Sequence, residues 1–124
     1  MLKVVLDTNF LLVPGQLKID VFAEISRILS VPFEFCIYEG TVTELEKIAS
    51  TNNRDKPNAN VALSLIKQKN LKRLKNSLGY VDKIILENAD KNTIVCTQDK
   101  ELRSLLKKQH IKTITLRNNK IIIE

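Results

Sequence analysis

The chain has 124 residues, of which 44% are hydrophobic and 27% are charged, and its formal net charge is +6 at pH 7. This length predicts one domain over residues 1–124, and no apolar run approaches the ~20 residues of a membrane span, so we expect a cytoplasmic protein without a membrane partner. One histidine and two cysteines disfavour a zinc site or a Cys–His catalytic pair. Any catalysis therefore has to use carboxylates. The excess of Lys and Arg over Asp and Glu favours a polyanionic partner.

The first predicted element is a strand at residues 4–6, an unbroken apolar run typical of a strand buried on both faces of a parallel sheet. An Asp-Thr-Asn sequence follows it, beginning at Asp7. Ligands of open parallel sheets bind outside the carboxyl ends of the strands, so Asp7 is a candidate site residue. A helix N-cap is the alternative interpretation of Asp7. After a short helix at 10–13, the Pro14-Gly15 pair predicts a turn.

The remaining elements alternate between helix and strand. In chain order we predict a helix between Asp20 and Pro32, a strand at 33–38, a helix at 41–50, a polar loop at 51–58, a helix at 59–70, a helix starting at 80–82, a strand at 93–97, a helix starting at Asp99, and strands at 113–116 and 120–123. Residues 71–75 fit a short edge strand or the end of a helix, and Gly79 predicts a break.

This alternation predicts the α/β class, with a three-layer α/β/α sandwich around a central, mostly parallel sheet. The Asn118-Asn119 pair between the last two strands predicts a C-terminal hairpin at one edge of that sheet. Cys36 and Cys96 fall in two different strands, and we expect both to be reduced core residues.

Four acids occupy one kind of position. Asp7 and Asp99 follow strands, whereas Glu44 and Asp82 lie in the first turns of helices that follow strands or strand-like segments. Right-handed βαβ connections bring strand ends and helix starts to the same edge of a sheet, so all four could meet in one crevice. Each also has a structural interpretation, because Thr41 and Glu44 fit a capping box and the aspartates suit helix N-termini.

Clustered carboxylates repel one another unless a cation binds between them. Oxygen ligands without histidine or cysteine indicate Mg²⁺ or Mn²⁺, which can activate water for attack on a phosphate. The acidic positions therefore predict a divalent-metal site for phosphodiester hydrolysis. Glu39 is the one further acid that could reach it.

These residues, in this order, resemble the PIN-domain ribonuclease family, and specifically its small stand-alone archaeal type. The matching pieces are Val5-Leu6-Asp7-Thr8-Asn9, Thr43-Glu44-Leu45, Asp82 at the start of a helix, and Thr97-Gln98-Asp99 after a buried strand. The resemblance covers essentially the whole chain and implies an Mg²⁺- or Mn²⁺-dependent endoribonuclease that acts on single-stranded or structured RNA. It implies metal binding by Asp7, Glu44, Asp82 and Asp99, supported by Asn9 and Thr97. Many members have two consecutive acids where this chain has Val81-Asp82, so that corner is less acidic.

Two basic stretches are candidate RNA contacts, with solvated helix faces as the alternative interpretation. They comprise Lys67, Lys69, Lys72, Arg73 and Lys75, and Lys100, Arg103, Lys107 and Lys108.

Several functions remain open. A nucleotide-binding Rossmann protein is disfavoured because the three glycines form no G-x-G-x-x-G or P-loop. A phospho-receiver domain is disfavoured because no paired acids follow the first strand. A catalytically inactive PIN-like module for RNA binding or assembly is the alternative to a nuclease. Among nucleases, a VapC-type toxin with a protein antitoxin and an rRNA-processing enzyme with a ribosome-assembly partner both stay open, as does pairing with a second copy of the chain.

Overall fold

The structure is a computed structural model that describes residues 1–75 and 80–124. In chain order its elements are β1 (Leu2–Leu6), α1 (Thr8–Leu11), α2 (Val13–Leu17), α3 (Val21–Ile28), β2 (Phe33–Tyr38), α4 (Glu39–Ser50), α5 (Lys56–Gln68), β3 (Lys72–Leu74), α6 (Val81–Asn88), β4 (Thr93–Cys96), α7 (Lys100–Lys108), β5 (Lys112–Arg117) and β6 (Lys120–Ile123). The break predicted at Gly79 lies outside the described residues.

The strands form one sheet in the order β3-β2-β1-β4-β5-β6. All neighbouring strands pair in parallel except β5 and β6, which form the predicted C-terminal hairpin at one edge. Its turn uses Asn118 and Asn119, both with positive φ, a conformation that asparagine tolerates better than most residues. The predicted α/β class with a mostly parallel sheet is therefore confirmed.

Helices cover both faces of the sheet. Since successive residues of each inner strand point to opposite faces, each of these strands contributes side chains to both cores. Val4 and Leu6 belong to one core cluster, to which helices α1–α5 contribute. Val5 belongs to a second cluster on the other face, which is built with α6 and α7. The result is the predicted three-layer sandwich, with five of the described helices on one face and two on the other.

The turn predicted at Pro14-Gly15 was wrong, because both residues lie inside α2. Pro14 sits in the first helical turn, where its missing N–H group costs no hydrogen bond. Gly15 is explained by packing, since a Cβ atom there would lie 2.7 Å from the Asn58 Oδ1 atom and 2.8 Å from its Cα atom. The glycine therefore permits close approach of α2 to α5.

Two helices begin earlier than predicted. Helix α4 starts at Glu39, directly after β2, so Gly40 lies in its first turn. Helix α5 starts at Lys56, with Pro57 in its first turn, which shortens the predicted polar loop. The ambiguity over residues 71–75 is resolved as the edge strand β3, which pairs in parallel with β2.

The two cysteines are free and buried. Strand β1 lies between their strands, with Val5 opposite Cys36 and Leu6 opposite Cys96. The thiols also belong to core clusters on opposite faces of the sheet. In the described part of the chain, no helix combines the length and apolar composition that crossing a membrane would require.

Candidate active site

The four predicted site acids all line one cavity of about 820 Å³. Asp7 directly follows β1, and Asp99 lies shortly after β4. Glu44 projects from α4, which follows β2, and Asp82 lies in the first turn of α6. Parallel pairing of β1 with β2 and β4 places these positions at the carboxyl edge of the sheet. The structure therefore brings together carboxylates that lie far apart in the sequence.

Asp7 forms the buried floor of this cavity and is only 7% exposed. One carboxylate oxygen accepts a hydrogen bond from the Thr8 backbone N–H at 2.8 Å, which caps α1. The other accepts from the Thr97 hydroxyl at 2.8 Å. Burial raises the pKa of the Asp7 carboxyl above its ordinary value; these two hydrogen bonds oppose the shift, and the negative charges of Asp99 and Asp82 add to it.

Thr97 and Asn9 fix the loop between β4 and α7. The Thr97 hydroxyl donates to Asp7 and accepts from the Asp99 backbone N–H at 3.1 Å, so one side chain links two of the acids. The Asn9 Oδ1 atom accepts from the Gln98 backbone N–H at 2.9 Å. These contacts tie the end of β1 to the end of β4.

Asp82 and Asp99 are exposed acids at helix starts. Asp99 caps α7, since its Oδ1 atom accepts from the Leu102 backbone N–H at 3.0 Å. Asp82 lies one residue inside α6, and its Oδ1 atom accepts from the Lys83 backbone N–H at 2.9 Å. The capping interpretation thus holds for Asp99 as well as for Asp7. It does not exclude a functional role, because both carboxylates also face the cavity.

Glu44 is not part of a capping box, so that interpretation was wrong. Helix α4 begins at Glu39 with Tyr38 as its N-cap residue, which places Thr41 inside the helix and fully buried. Glu44 lines the cavity instead. Partial burial raises the pKa of its carboxyl, and the negative charges of Asp7 and Asp82 raise it further.

None of the predicted RNA contacts lines the cavity. Three are engaged in ion pairs: Lys72 with Glu34 at 3.3 Å, Arg73 with Glu39 at 3.7 Å, and Arg103 with Glu124 at 3.2 Å. The other six are exposed: Lys67, Lys69, Lys75, Lys100, Lys107 and Lys108. Glu39 does line the cavity, as expected of the spare acid.

Sequence reasoning missed several residues of the site, among them Gln98 and Lys47. Gln98 anchors the loop to β5, because its side-chain oxygen accepts from the Leu116 backbone N–H at 2.7 Å and the Thr115 hydroxyl at 2.8 Å. No sequence signal marks this role. Lys47 lines the cavity beside Glu44, and its position three residues further along the same helix could have indicated it.

A divalent cation fits the chemistry of these donors. They are hard oxygen ligands that repel one another when ionised, and an opposite charge between them removes that cost. In the described part of the chain, no three acidic, imidazole or thiolate side chains converge tightly enough to enclose an ion by themselves. Mg²⁺ commonly keeps several of its waters and uses one or two protein carboxylates, so it does not need such a cage.

The chain matches the family described as "PIN like domain" over residues 4–119. It is 37% identical over 123 residues to Ribonuclease VapC4 of Methanocaldococcus jannaschii, a match that spans 97% of this chain and 94% of that protein. The solved structure of the PIN domain endonuclease Utp24 superposes with a TM-score of 0.82 at 29% identity, covering 98% of this chain and 90% of that one. A domain of a functionally unknown M. jannaschii protein shares the fold at a TM-score of 0.66 and 22% identity, covering 100% and 97%.

Proposed function

Because this chain belongs to the PIN-like domain family, we propose that it is an endoribonuclease that uses Mg²⁺ or Mn²⁺ at the acidic cavity. The observation that carries the proposal is the placement of Asp7. It is a buried carboxylate at the end of the central strand β1, and it lines one cavity together with four further acids, Glu39, Glu44, Asp82 and Asp99. The names of two relatives, a ribonuclease and an endonuclease, support the same chemistry.

In this proposal Asp7, Glu44, Asp82 and Asp99 hold the metal, directly or through its waters. A bound divalent cation would supply an activated water for attack on the phosphate and charge stabilisation for the leaving oxygen. The positive charge would also lower the raised pKa values of Asp7 and Glu44, so that both carboxylates stay ionised at neutral pH.

The supporting residues orient these acids. The Thr97 hydroxyl holds one oxygen of Asp7 and the backbone of Asp99 at the same time. Asn9 fixes the Gln98 backbone, which sets the distance between the ends of β1 and β4. Because a ligand must be held within a fraction of an ångström to position a nucleophile, we expect Thr97→Val to lower activity without removing a charge.

The proposal is tested with the purified full chain and a labelled single-stranded RNA. Internal cleavage in millimolar Mg²⁺ or Mn²⁺, and none in EDTA, is the expected result. RNA binding without cleavage under every metal condition would overturn it in favour of the alternative, an inactive module for RNA binding or assembly. Equal cleavage with and without EDTA would overturn the metal assignment alone.

Two biological roles follow from the proposed activity. One is a VapC-type toxin held inactive by a protein antitoxin, which the 37% identity to a VapC-named ribonuclease favours. The other is an rRNA-processing nuclease that works with a ribosome-assembly partner. We therefore expect a small reading frame beside this gene whose product co-purifies with the chain and blocks cleavage. Its absence would shift the assignment to the processing role.

A further inference from the structure

Tyr80 is the exception among the aromatic residues of this chain. The sequence has four phenylalanines, two tyrosines and no tryptophan. Phe10, Phe22 and Tyr38 are buried, and the remaining two phenylalanines are partly buried against the core. Tyr80 is 81% exposed. Single exposed apolar side chains are common on protein surfaces, so the exposure of Tyr80 indicates a function only together with its position at the cavity.

Tyr80 lies at the acidic cavity. Tyr80 lines that cavity together with Asp82, two residues later, and it immediately precedes α6. Its side chain does not cap the helix, since only the Tyr80 backbone carbonyl takes part, accepting from the Ile84 N–H at 3.1 Å. The phenol is therefore not needed to start the helix, and a role toward a ligand of the cavity is open to it.

Lys47 gives the same cavity a positive charge. Among the described residues that line the cavity, it alone is basic. It is close enough to Glu44 for its charge to oppose the rise in the pKa of that carboxyl. Lys47 belongs to α4 on one face of the sheet, whereas Tyr80 precedes α6 on the other. An aromatic surface and a cation thus flank the four acids from two different layers.

We propose that Tyr80 is a specificity-determining residue whose ring stacks on an unpaired base beside the cleaved phosphate, while Lys47 contacts the adjoining backbone phosphate. The inference rests on the proposed ribonuclease function and adds the residues of this chain that would contact the RNA. A base can stack on the ring only after it leaves a helix, so this contact selects single strands, loops and ends over duplex. Because every base has an aromatic face, the stack itself carries little sequence preference.

Tyrosine fluorescence provides a readout that does not depend on cleavage. The chain has no tryptophan, and Tyr38 is only 7% exposed, so quenching by a bound base reports on Tyr80. Titration of the full chain with single-stranded RNA in EDTA should quench this signal. Tyr80→Phe keeps the stacking ring and removes the exposed fluorophore, so it should bind with little further quenching. The same titration of Tyr80→Phe also measures, and so corrects for, the light that the RNA itself absorbs.

The affinity test uses Tyr80→Leu, which keeps an apolar side chain and loses the planar face. Single-strand affinity should fall roughly 5- to 150-fold, the loss expected for one stacked base. Affinity for the matching duplex should hardly change. Val31→Ala is the matched control, since Val31 is another exposed apolar residue, 53% exposed, and lies before the amino end of β2. This variant should bind both RNAs as the wild type does.

Cleavage kinetics separate the possible outcomes. Tyr80→Leu should raise KM and leave kcat nearly unchanged, because a stack present in both ground and transition states contributes uniform binding. If wild type cleaves RNA and Tyr80→Leu shows unchanged KM and unchanged single-strand affinity, the role of Tyr80 is overturned and the ribonuclease proposal stands. If wild type neither binds nor cleaves RNA, both proposals fail.

Discussion

At Asp7 an observed structural role and a proposed chemical role fall on one side chain. Its carboxylate caps α1 and accepts a hydrogen bond from Thr97, yet it is buried beside other acids. Capping alone would be served equally well by asparagine, which ranks with aspartate at N-cap positions. What asparagine cannot provide is the negative charge, so the two roles of Asp7 can be separated by one substitution.

Asp7→Asn should leave the metal-free protein at least as stable as the wild type. The substitution removes a buried charge, and the new amide group can be satisfied, because the Thr97 hydroxyl can turn to donate to Asn9 Oδ1, 3.3 Å away, and accept from the amide. Millimolar Mn²⁺ should raise the Tm of the wild type by about 10 °C, since an ion concentration a hundred times its Kd adds about 2.7 kcal/mol to the free energy of unfolding. The variant should lose most of that shift. Thermal melts with EDTA and with Mn²⁺ measure both effects.

The two interpretations of Asp7 predict opposite melts. If Asp7 is only a structural residue, its replacement lowers the Tm in EDTA and keeps the full Mn²⁺ shift. Asp20→Asn serves as the control, because Asp20 also caps a helix, accepting from the Ala23 backbone N–H at 3.0 Å, and does not line the cavity. It should keep the wild-type metal shift.

The raised pKa of Asp7 also sets the direction of a pH effect. The folded protein holds this proton more tightly than the unfolded chain does, so the ionised carboxylate destabilises the metal-free fold at neutral pH. That cost disappears as the pH falls through the raised pKa toward the ordinary value of about 4. In EDTA, wild type should therefore gain stability relative to Asp7→Asn between pH 7 and pH 4. Urea melts at stepped pH check this, and a constant difference would contradict it.

At the scale of the elements, Gly15 tests the packing of α2 against α5. Gly15→Ala would press a methyl group against Asn58 at 2.7 to 2.8 Å, which in tightly packed sites costs about 1–3 kcal/mol. The helix propensity of alanine returns up to about 1 kcal/mol. We expect a net loss of stability in urea melts. Adding Asn58→Ala should not restore the lost stability, since the Asn58 Cα atom stays in place. A urea midpoint for Gly15→Ala equal to that of the wild type would contradict this account.

Most elements could be predicted from the sequence because their signals are local. Apolar runs such as residues 94–96 identify buried strands, and the Asn118-Asn119 pair identifies the hairpin. Pro14-Gly15 misled because the same dipeptide that suits a turn also suits the start of a closely packed helix. The contact that decides between them, with Asn58, joins residues far apart in the sequence and cannot be read locally.

At the scale of the molecule, the candidate site was predictable to the extent that topology determines it. Parallel connections place strand ends and helix starts at one edge, which is enough to bring Asp7, Glu44, Asp82 and Asp99 to one cavity. The basic surface was less predictable, because positive charge alone does not reveal ion pairs such as that of Arg103 with Glu124. Tyr80 became visible as a cavity residue only in the folded chain.

The central claim is that the carboxylates lining the acidic cavity are needed for RNA cleavage, and that helix capping is not their only role. Asp99 and Asp20 form a matched pair, since each caps a helix through a 3.0 Å hydrogen bond from the backbone N–H three residues later, and only Asp99 lines the cavity. Asparagine preserves both caps. The measurement is the Mn²⁺-dependent rate of single-stranded RNA cleavage by Asp99→Asn and Asp20→Asn. We expect Asp99→Asn to lose roughly 10- to 100-fold or more and Asp20→Asn to match the wild type; wild-type rates for both variants would contradict the claim.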